Sequence, residues 1–125
     1  MHIDHINIRA PQPLLERVRE FYCTVLGLEE GSRPAFASAG HWLYAGDRPL
    51  VHLSQDAAAP AGAAAGHLDH VAFRSSGARN FMQRLDELGI DYRTGLVEEL
   101  DLVQVFLRDP AGNGLEVNFK GEATA

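Results

Sequence analysis

The segment His-Ile-Asn-Ile-Arg at residues 5–9 returns in altered form as His-Val-Ala-Phe-Arg at residues 70–74. In both segments apolar residues occupy every second position, which is typical of a β-strand with one buried face. A second match relates Val-His-Leu at residues 51–53 to Leu-Glu-Val at residues 115–117. Because the two matches have nearly equal offsets of 65 and 64 residues, we interpret the chain as an internal duplication of about 60 residues.

The predicted elements follow the same order in both copies: a strand, a helix and three further strands. Apolar residues at helical spacing run from Leu14 to Leu26 and end at Gly27, and a second helix ends at Gly89. The predicted strands cover residues 3–10, 28–36, 41–45 and 49–55, and then 68–75, 91–97, 102–108 and 114–120. This order predicts an α+β fold of two βαβββ modules in tandem, at about residues 1–56 and 67–120. The connector between them, at residues 57–66, is nearly all Ala, Gly and Pro.

The composition indicates one folded domain over residues 1–125, with 46% hydrophobic and 22% charged residues. The net charge is −6 and there is no basic stripe, so we expect no nucleic acid partner. We expect no membrane association either, because no apolar run is long enough for a membrane helix. The first residues do not resemble a signal peptide, and the chain has a single cysteine. We therefore expect a cytoplasmic protein.

Four polar residues occupy equivalent positions in the two copies: His5 and His52 in the first, His70 and Glu116 in the second. In an alternating strand, the apolar neighbours face the helices, so these four side chains face the opposite side of the sheet. Imidazole nitrogens and carboxylate oxygens bind divalent first-row metals. The four residues therefore predict a metal site, and such a site with room for water or substrate is the catalytic pattern.

These segments, together with residues 21–28 and 105–117, make residues 1 to about 120 similar to the vicinal oxygen chelate superfamily. That group includes glyoxalase I, extradiol dioxygenases, fosfomycin-modifying thiol transferases and bleomycin-resistance proteins. The resemblance implies a U-shaped, partly open sheet around a metal cleft, with the helices on the outer face. It also implies that His5, His52, His70 and Glu116 hold one divalent ion, which would be Fe, Ni, Zn or Mn. The ion would act as a Lewis acid toward chelating substrate oxygens.

Three functions are compatible with this resemblance. The first is a metal-dependent, glyoxalase-like lyase or isomerase that acts on a small oxygen-chelating molecule. The alternatives are an Fe(II)-dependent ring-cleaving dioxygenase of the extradiol type and a non-catalytic drug-binding protein of the bleomycin-resistance type. Two departures from glyoxalase I are visible. His52 stands where glyoxalase I has Glu or Gln, and the acidic residues 98–101 replace its basic, glycine-rich stretch for glutathione.

Within this site, Glu116 is the candidate general base, because a carboxylate can take a proton from the substrate. Arg9 and Arg74 follow His5 and His70 on the same strand face, where they could hold an anionic substrate group. Asn7 and Phe106 are further candidate substrate-binding residues, and Gln104, Ser54 and Asn118 are expected to shape the pocket. The resemblance also implies a homodimer, and open sheet edges give a physical reason for one.

Overall fold

The computed structural model describes residues 1–62 and 66–123 and contains the predicted order of elements twice. The first copy comprises β1 (Ile6–Ala10), α1 (Leu14–Thr24), β2 (Glu29–Gly31), β3 (Gly40–Ala45) and β4 (Arg48–Gln55). The second comprises β5 (His70–Ser75), α2 (Ala78–Leu88), β6 (Arg93–Val97), a 3-10 turn (Glu98–Leu100), β7 (Leu102–Arg108) and β8 (Gly114–Lys120). The α+β prediction of tandem βαβββ modules is therefore confirmed.

The chain divides into two compact units, Met1–Ala64 and Ala65–Ala125. The middle of the predicted connector, residues 63–65, lies outside the described residues. No helix in the described part of the chain has both the length and the apolar character needed to cross a membrane.

Each unit contains one four-stranded mixed sheet of the same topology. The strand order is β1-β4-β3-β2 in the first unit and β5-β8-β7-β6 in the second. In each, the first and last strands of the module lie side by side in parallel, and the other neighbours are antiparallel. This pairing explains why the first and last strands carry the candidate ligands: they are neighbours at the sheet, although about 45 residues separate them in the chain.

Alternation along the strands separates a buried face from a polar face. Val51 and Leu53 are fully buried on either side of half-buried His52, and the helix α1 buries Leu14, Leu15, Val18 and Tyr22 on the same side of the sheet. In the second unit, Leu115, Val117 and Phe119 are buried with Phe81 and Leu85 of α2. Each fully buried large side chain contributes about 1.5–3 kcal/mol. These apolar cores therefore hold the opposite, polar faces in place.

Four predicted strands are shorter than expected, and those predicted at residues 68–75 and 91–97 begin two residues later, at His70 and Arg93. The strand predicted at residues 28–36 is only Glu29–Gly31, because Pro34 has no backbone N–H to donate and small residues follow it. The first strand begins at Ile6 instead of residue 3, so His5 lies immediately before it. His5 is consequently held by its own side-chain contacts and not by backbone pairing within the sheet.

A cluster of charged side chains joins α1 to the β2–β3 hairpin on the first unit. The two ring nitrogens of His41 lie 2.9 Å from Glu16 Oε1 and 2.5 Å from Glu30 Oε2. Arg19 donates from Nε to Glu16 Oε2 at 2.9 Å. The His41 side chain is only 20% exposed, because these contacts cover it.

Replacing Glu16 with glutamine should destabilise the protein at neutral pH but not in strong acid. Hydrogen bonds from Arg19 and His41 lower the pKa of Glu16 from 4.5 to about 2. The stabilisation is therefore present above pH 4.5 and is lost as the pH falls toward 2. Because the carboxylate is 43% exposed, solvent screening limits the loss in the free energy of unfolding to about 1 kcal/mol at most.

Urea unfolding of wild type and Glu16→Gln at pH 7 and near pH 2 measures this difference. Glu20→Gln is the matched control, because Glu20 is an exposed glutamate on the same helix, and it should change little. An equal loss at both pH values would contradict the electrostatic explanation.

Candidate metal centre

The second unit brings together a histidine and a carboxylate. His70 begins β5, and Glu116 lies at the middle of β8, where it pairs with Ala72. Since His70 and Ala72 are two residues apart on a strand, they share a face with Glu116. His70 Nε2 lies 3.0 Å from Glu116 Oε2. Glu116 is 6% exposed, whereas the His70 side chain is 43% exposed, so this pair combines a buried carboxylate with an accessible imidazole.

Both side chains are oriented by further partners. His70 Nδ1 donates to Asp69 Oδ2 at 2.8 Å, and Gln104 Nε2 donates to Glu116 Oε1 at 2.7 Å. The hydrogen bond to Asp69 raises the pKa of His70, and the same bond lowers the pKa of Asp69. The result is that His70 Nε2 and Glu116 Oε2 are the two atoms left to face each other. A carboxylate on the far nitrogen of a ligating histidine is the usual outer partner at metal sites.

A glycine allows the backbone of this site to pack closely. Gly114 is opposite His70 in the parallel register of β5 and β8. A Cβ at position 114 would collide with the backbone carbonyl of Asp69. Only glycine therefore fits at this position without displacing the Asp69–His70 segment.

The first unit repeats part of this arrangement. His5 Nδ1 donates to Asp4 Oδ2 at 2.7 Å, so Asp4 orients His5 as Asp69 orients His70. This hydrogen bond lowers the pKa of Asp4. His52 pairs with Asn7 just as Glu116 pairs with Ala72. The register therefore shows that the two histidine–partner pairs occupy equivalent positions in their sheets.

His52, however, is held by contacts that Glu116 does not have. Its ring is stacked between those of His5 and Trp42, with centroid separations of 3.8 and 4.0 Å and interplanar angles of 13° and 12°. Its Nε2 donates to the Pro49 carbonyl at 3.1 Å. Burial, followed by the charge of His5, lowers the pKa of His52. A parallel stack of two imidazoles does not point two nitrogens at one ion, so His52 fits a supporting role better than a ligand role.

The predicted substrate-binding residues lie on the same polar faces but differ in their contacts. Arg9 forms an ion pair with Asp56 at 2.9 Å, which occupies its charge. Asn7 Oδ1 accepts a hydrogen bond from Ser54 Oγ at 3.0 Å. Arg74 is exposed two positions beyond Ala72. Phe106 pairs with Glu116 in the sheet and has the Arg93 guanidinium 4.9 Å from its ring centroid.

Arg33 is a residue of the first unit that sequence analysis missed. It lies in the long connection between β2 and β3 and lines a groove of about 620 Å³ together with His5, Trp42 and His52. Its Nη1 donates to the Ser38 carbonyl at 3.0 Å, and its guanidinium lies 4.9 Å from the Phe36 ring centroid. No sequence pattern indicated this, because the loop of residues 32–39 has no repeat counterpart and no periodicity.

The donor atoms of the second unit fit a divalent metal. His70 Nε2 and Glu116 Oε2 form an ion pair at 3.0 Å. Two ligand atoms at right angles on an octahedral ion, with bonds of about 2.1 Å, are also about 3 Å apart, so these atoms are close enough to bind one ion. Imidazole and carboxylate donors suit Fe, Ni, Zn and Mn. Within either unit, the described residues contain no three His, Cys, Asp or Glu side chains close enough to hold an ion.

Comparison with known proteins agrees with the fold and with the placement of these strands. The model of the glyoxalase/bleomycin resistance protein/dioxygenase superfamily matches residues 2–117. The chain belongs to this superfamily. No curated protein matches this glyoxalase-superfamily chain in sequence with significance.

Solved structures of the superfamily share the fold at low sequence identity. A glyoxalase-family protein from Bacillus anthracis is 26% identical, with a TM-score of 0.76, over 96% of this chain and 95% of that one. Lactoylglutathione lyase from Agrobacterium tumefaciens is 21% identical (TM-score 0.69; 99% and 96% covered). The fosfomycin resistance protein FosX from Listeria monocytogenes is 13% identical (TM-score 0.72; 97% and 93% covered). A variant of FosX was crystallised with Mn(II) and a dihydroxypropylphosphonic acid.

Proposed function

We propose that this glyoxalase-superfamily chain is a divalent-metal-dependent enzyme of the lyase or isomerase type, acting on a small oxygen-chelating molecule. One observation carries the proposal: His70 Nε2 faces Glu116 Oε2 at 3.0 Å, while the remaining donor atoms of both side chains are engaged by Asp69 and Gln104. The pair differs from the oriented surface pair of His41 and Glu16 in its burial, because Glu116 is 6% exposed and the Glu16 side chain is 43% exposed. The superfamily also includes metalloenzymes such as lactoylglutathione lyase and FosX.

The proposed ligands are His5, His70 and Glu116, and the ion is Fe, Ni, Zn or Mn. His5 is included because Asp4 orients it as Asp69 orients His70. We propose that His52 supports His5 and does not bind the ion, because its ring stacks on that of His5 and its Nε2 is bonded to the Pro49 carbonyl. When bound, the metal supplies Lewis acidity toward the oxygens of the substrate.

The protein side chains supply the proton transfer and the positioning. Glu116 is also the proposed general base, because a carboxylate ligand can exchange the ion for a proton; Oε2 would take the proton, since Gln104 holds Oε1. Burial of Glu116 keeps water away from this carboxylate. Asn7 and Phe106 lie beside the candidate ligands on their sheets, and we propose that they contact the substrate. Arg74 is the proposed holder of an anionic group on the second unit, whereas Arg9 is engaged with Asp56.

Metal content and chelator sensitivity test this proposal. The untagged protein, purified without chelator, should contain about one divalent ion per chain by elemental mass spectrometry. Activity on small α-oxoaldehyde adducts and vicinal oxygen compounds should disappear with EDTA and return with the native ion. Iron together with oxygen consumption on catechols would instead support the ring-cleaving alternative. Absence of metal after incubation with every candidate ion would contradict both enzyme proposals and favour a binding protein.

The Asp69→Asn substitution should weaken metal binding by 10–100-fold, which is the usual effect of losing an outer-shell carboxylate. Asparagine can still accept the hydrogen bond from His70 Nδ1 but lacks the charge that makes the imidazole a stronger donor. Competition with a chromophoric chelator measures the dissociation constant. Asp47→Asn is the matched control, because Asp47 is an exposed aspartate in the turn between β3 and β4, away from His70 in the chain. Equal dissociation constants for the two variants would rule out an outer-shell role for Asp69.

We further propose that the protein is a homodimer that binds a small-molecule substrate. Each sheet leaves two edge strands, which are β1 and β2 in the first unit and β5 and β6 in the second. Unpaired strand edges favour association with another chain. Light scattering coupled to size-exclusion chromatography would measure twice the 13.7 kDa chain mass if this holds, and a monomer mass would contradict it.

A further inference from the structure

The groove of the first unit contains a cation that lacks an anionic partner. Arg33 Nε is buried without a hydrogen-bond partner. Its Nη1 is taken by the Ser38 carbonyl, and no carboxylate in the described residues forms an ion pair with it. Asp4, the acidic residue that lines the same groove, is engaged by His5. Because Nε is buried, the feature open to an anion is the uncompensated charge of the guanidinium at its outer nitrogens.

The walls of this groove are flat aromatic surfaces. His5, His52 and Trp42 form a nearly parallel stack, and Phe36 lies beyond Trp42 with ring centroids 6.2 Å apart at 43°. A flat group sandwiched between two rings needs about 7 Å between them. Phe36 is 53% exposed and lies on the loop; to admit such a group, its ring must move away by about 1 Å and lose the 43° tilt relative to Trp42.

One nitrogen of Arg33 suits a carboxylate. With Nη1 bonded to Ser38 and Nε buried, Nη2 is the nitrogen left to donate a charge-assisted hydrogen bond to a carboxylate. Gly40 makes room for this guanidinium, because a Cβ there would lie 2.9 Å from Arg33 Nη2. Gly40 pairs with Ser54 and therefore lies on the polar face. Arg33 thus lies on the sheet face that carries His52.

We propose that this groove is a subsite for a planar carboxylate, such as an aryl or conjugated acid, with its carboxylate on Arg33 and its flat part against Phe36 and Trp42. The proposal deepens the proposed function, and rests on it, by naming the substrate class. The groove of the second unit, about 580 Å³, is lined by two aspartates and two arginines, Asp69, Asp91, Arg93 and Arg108, so these residues give it no excess of positive charge.

The fluorescence of Trp42, the single tryptophan of the chain, tests the subsite directly. EDTA-treated, metal-free protein is titrated with 4-nitrobenzoate, which quenches a tryptophan on which it stacks, and calorimetry checks each constant. We expect saturable quenching with at least 10-fold tighter binding than for 4-nitrobenzyl alcohol, which lacks the charge. Cyclohexanecarboxylate, which is not flat, should also bind at least 10-fold more weakly by calorimetry.

Variants separate the charge from the stacking. Arg33→Gln should weaken binding of 4-nitrobenzoate at least 10-fold, and Phe36→Ala about 2- to 10-fold. Arg48→Gln removes the same charge from an exposed position on β4 and should leave the constant within 2-fold. Equal binding of acid and alcohol, or an unchanged constant in folded Arg33→Gln, would overturn the subsite. Because the titration uses metal-free protein, it tests the subsite independently of metal binding. Failure of the subsite and failure of the proposed metal site are therefore separate results.

Discussion

Glu116→Gln is expected to lose stoichiometric metal binding while the protein stays folded. Glutamine keeps the shape of the side chain, and its amide oxygen can still accept the hydrogen bond from Gln104 Nε2. The negative charge, which a divalent ion requires from its carboxylate ligand, is gone. We expect the dissociation constant to rise by more than about 100-fold, since a direct ligand exceeds the outer-shell effect. Elemental mass spectrometry after dialysis and chelator competition measure the loss.

A matched glutamate shows whether the effect belongs to this site. Glu87→Gln changes an exposed carboxylate on α2 that interacts only locally with Gln83, and it should keep one ion per chain. His70→Ala should resemble Glu116→Gln, with the exposed His67 as its own control (His67→Ala). Retention of a full metal complement in Glu116→Gln would remove this carboxylate from the ligand set.

Phe119→Ala should have the opposite effect to Glu116→Gln: a large loss in the free energy of unfolding, with the candidate metal ligands unchanged. Phe119 is fully buried on β8, and its ring centroid lies 5.6 Å from that of Phe81. Truncating a buried phenylalanine typically lowers the free energy of unfolding by about 3–5 kcal/mol, because a cavity adds to the lost transfer free energy. Urea unfolding of the metal-free protein measures the change.

Metal should partly rescue this variant, since a ligand that binds only the folded state stabilises it by mass action. Adding the ion at 100 times the wild-type dissociation constant should restore about 2.7 kcal/mol in Phe119→Ala and stabilise Glu116→Gln by less than about 0.4 kcal/mol. Leu88→Ala is the stability control, because Leu88 is 45% exposed on α2. A cost below 1 kcal/mol for Phe119→Ala would mean that the core has collapsed around the cavity or that β8 is not packed as described.

Glu116 and Phe119, which are three residues apart, lie on opposite faces of β8, and the two faces have different roles. Alternation along the strand places Phe119 with the core and Glu116 with the polar surface. This alternation was visible in the sequence, and it is the reason that β7 and β8 have the bounds predicted for them. The end of α2 at Gly89 was equally predictable, because helices often end at a residue in the left-handed conformation, which glycine adopts readily. Gly89 has this conformation, with φ of 67°.

The hydrogen bonds that orient the candidate ligands were harder to predict from the sequence. Asp4 and Asp69 precede their histidines in both copies, so the repeat could have revealed them as partners; the hydrogen bonds themselves required coordinates. Gln104 was expected to shape the pocket, but its bond to Glu116 depends on β7 pairing with β8. The stacking of His52 between His5 and Trp42 depends on three segments that are distant in the chain.

The sequence by itself determined the duplication, the βαβββ order of each module and the strand positions of the candidate ligands. It could do so because side-chain periodicity and glycine punctuation are local properties of the chain. Only the tertiary structure decided which polar atoms face each other, why His52 differs from Glu116, and where the Arg33 guanidinium lies. Those features depend on strand register and on a loop without periodicity, and both are set by packing between residues far apart in sequence.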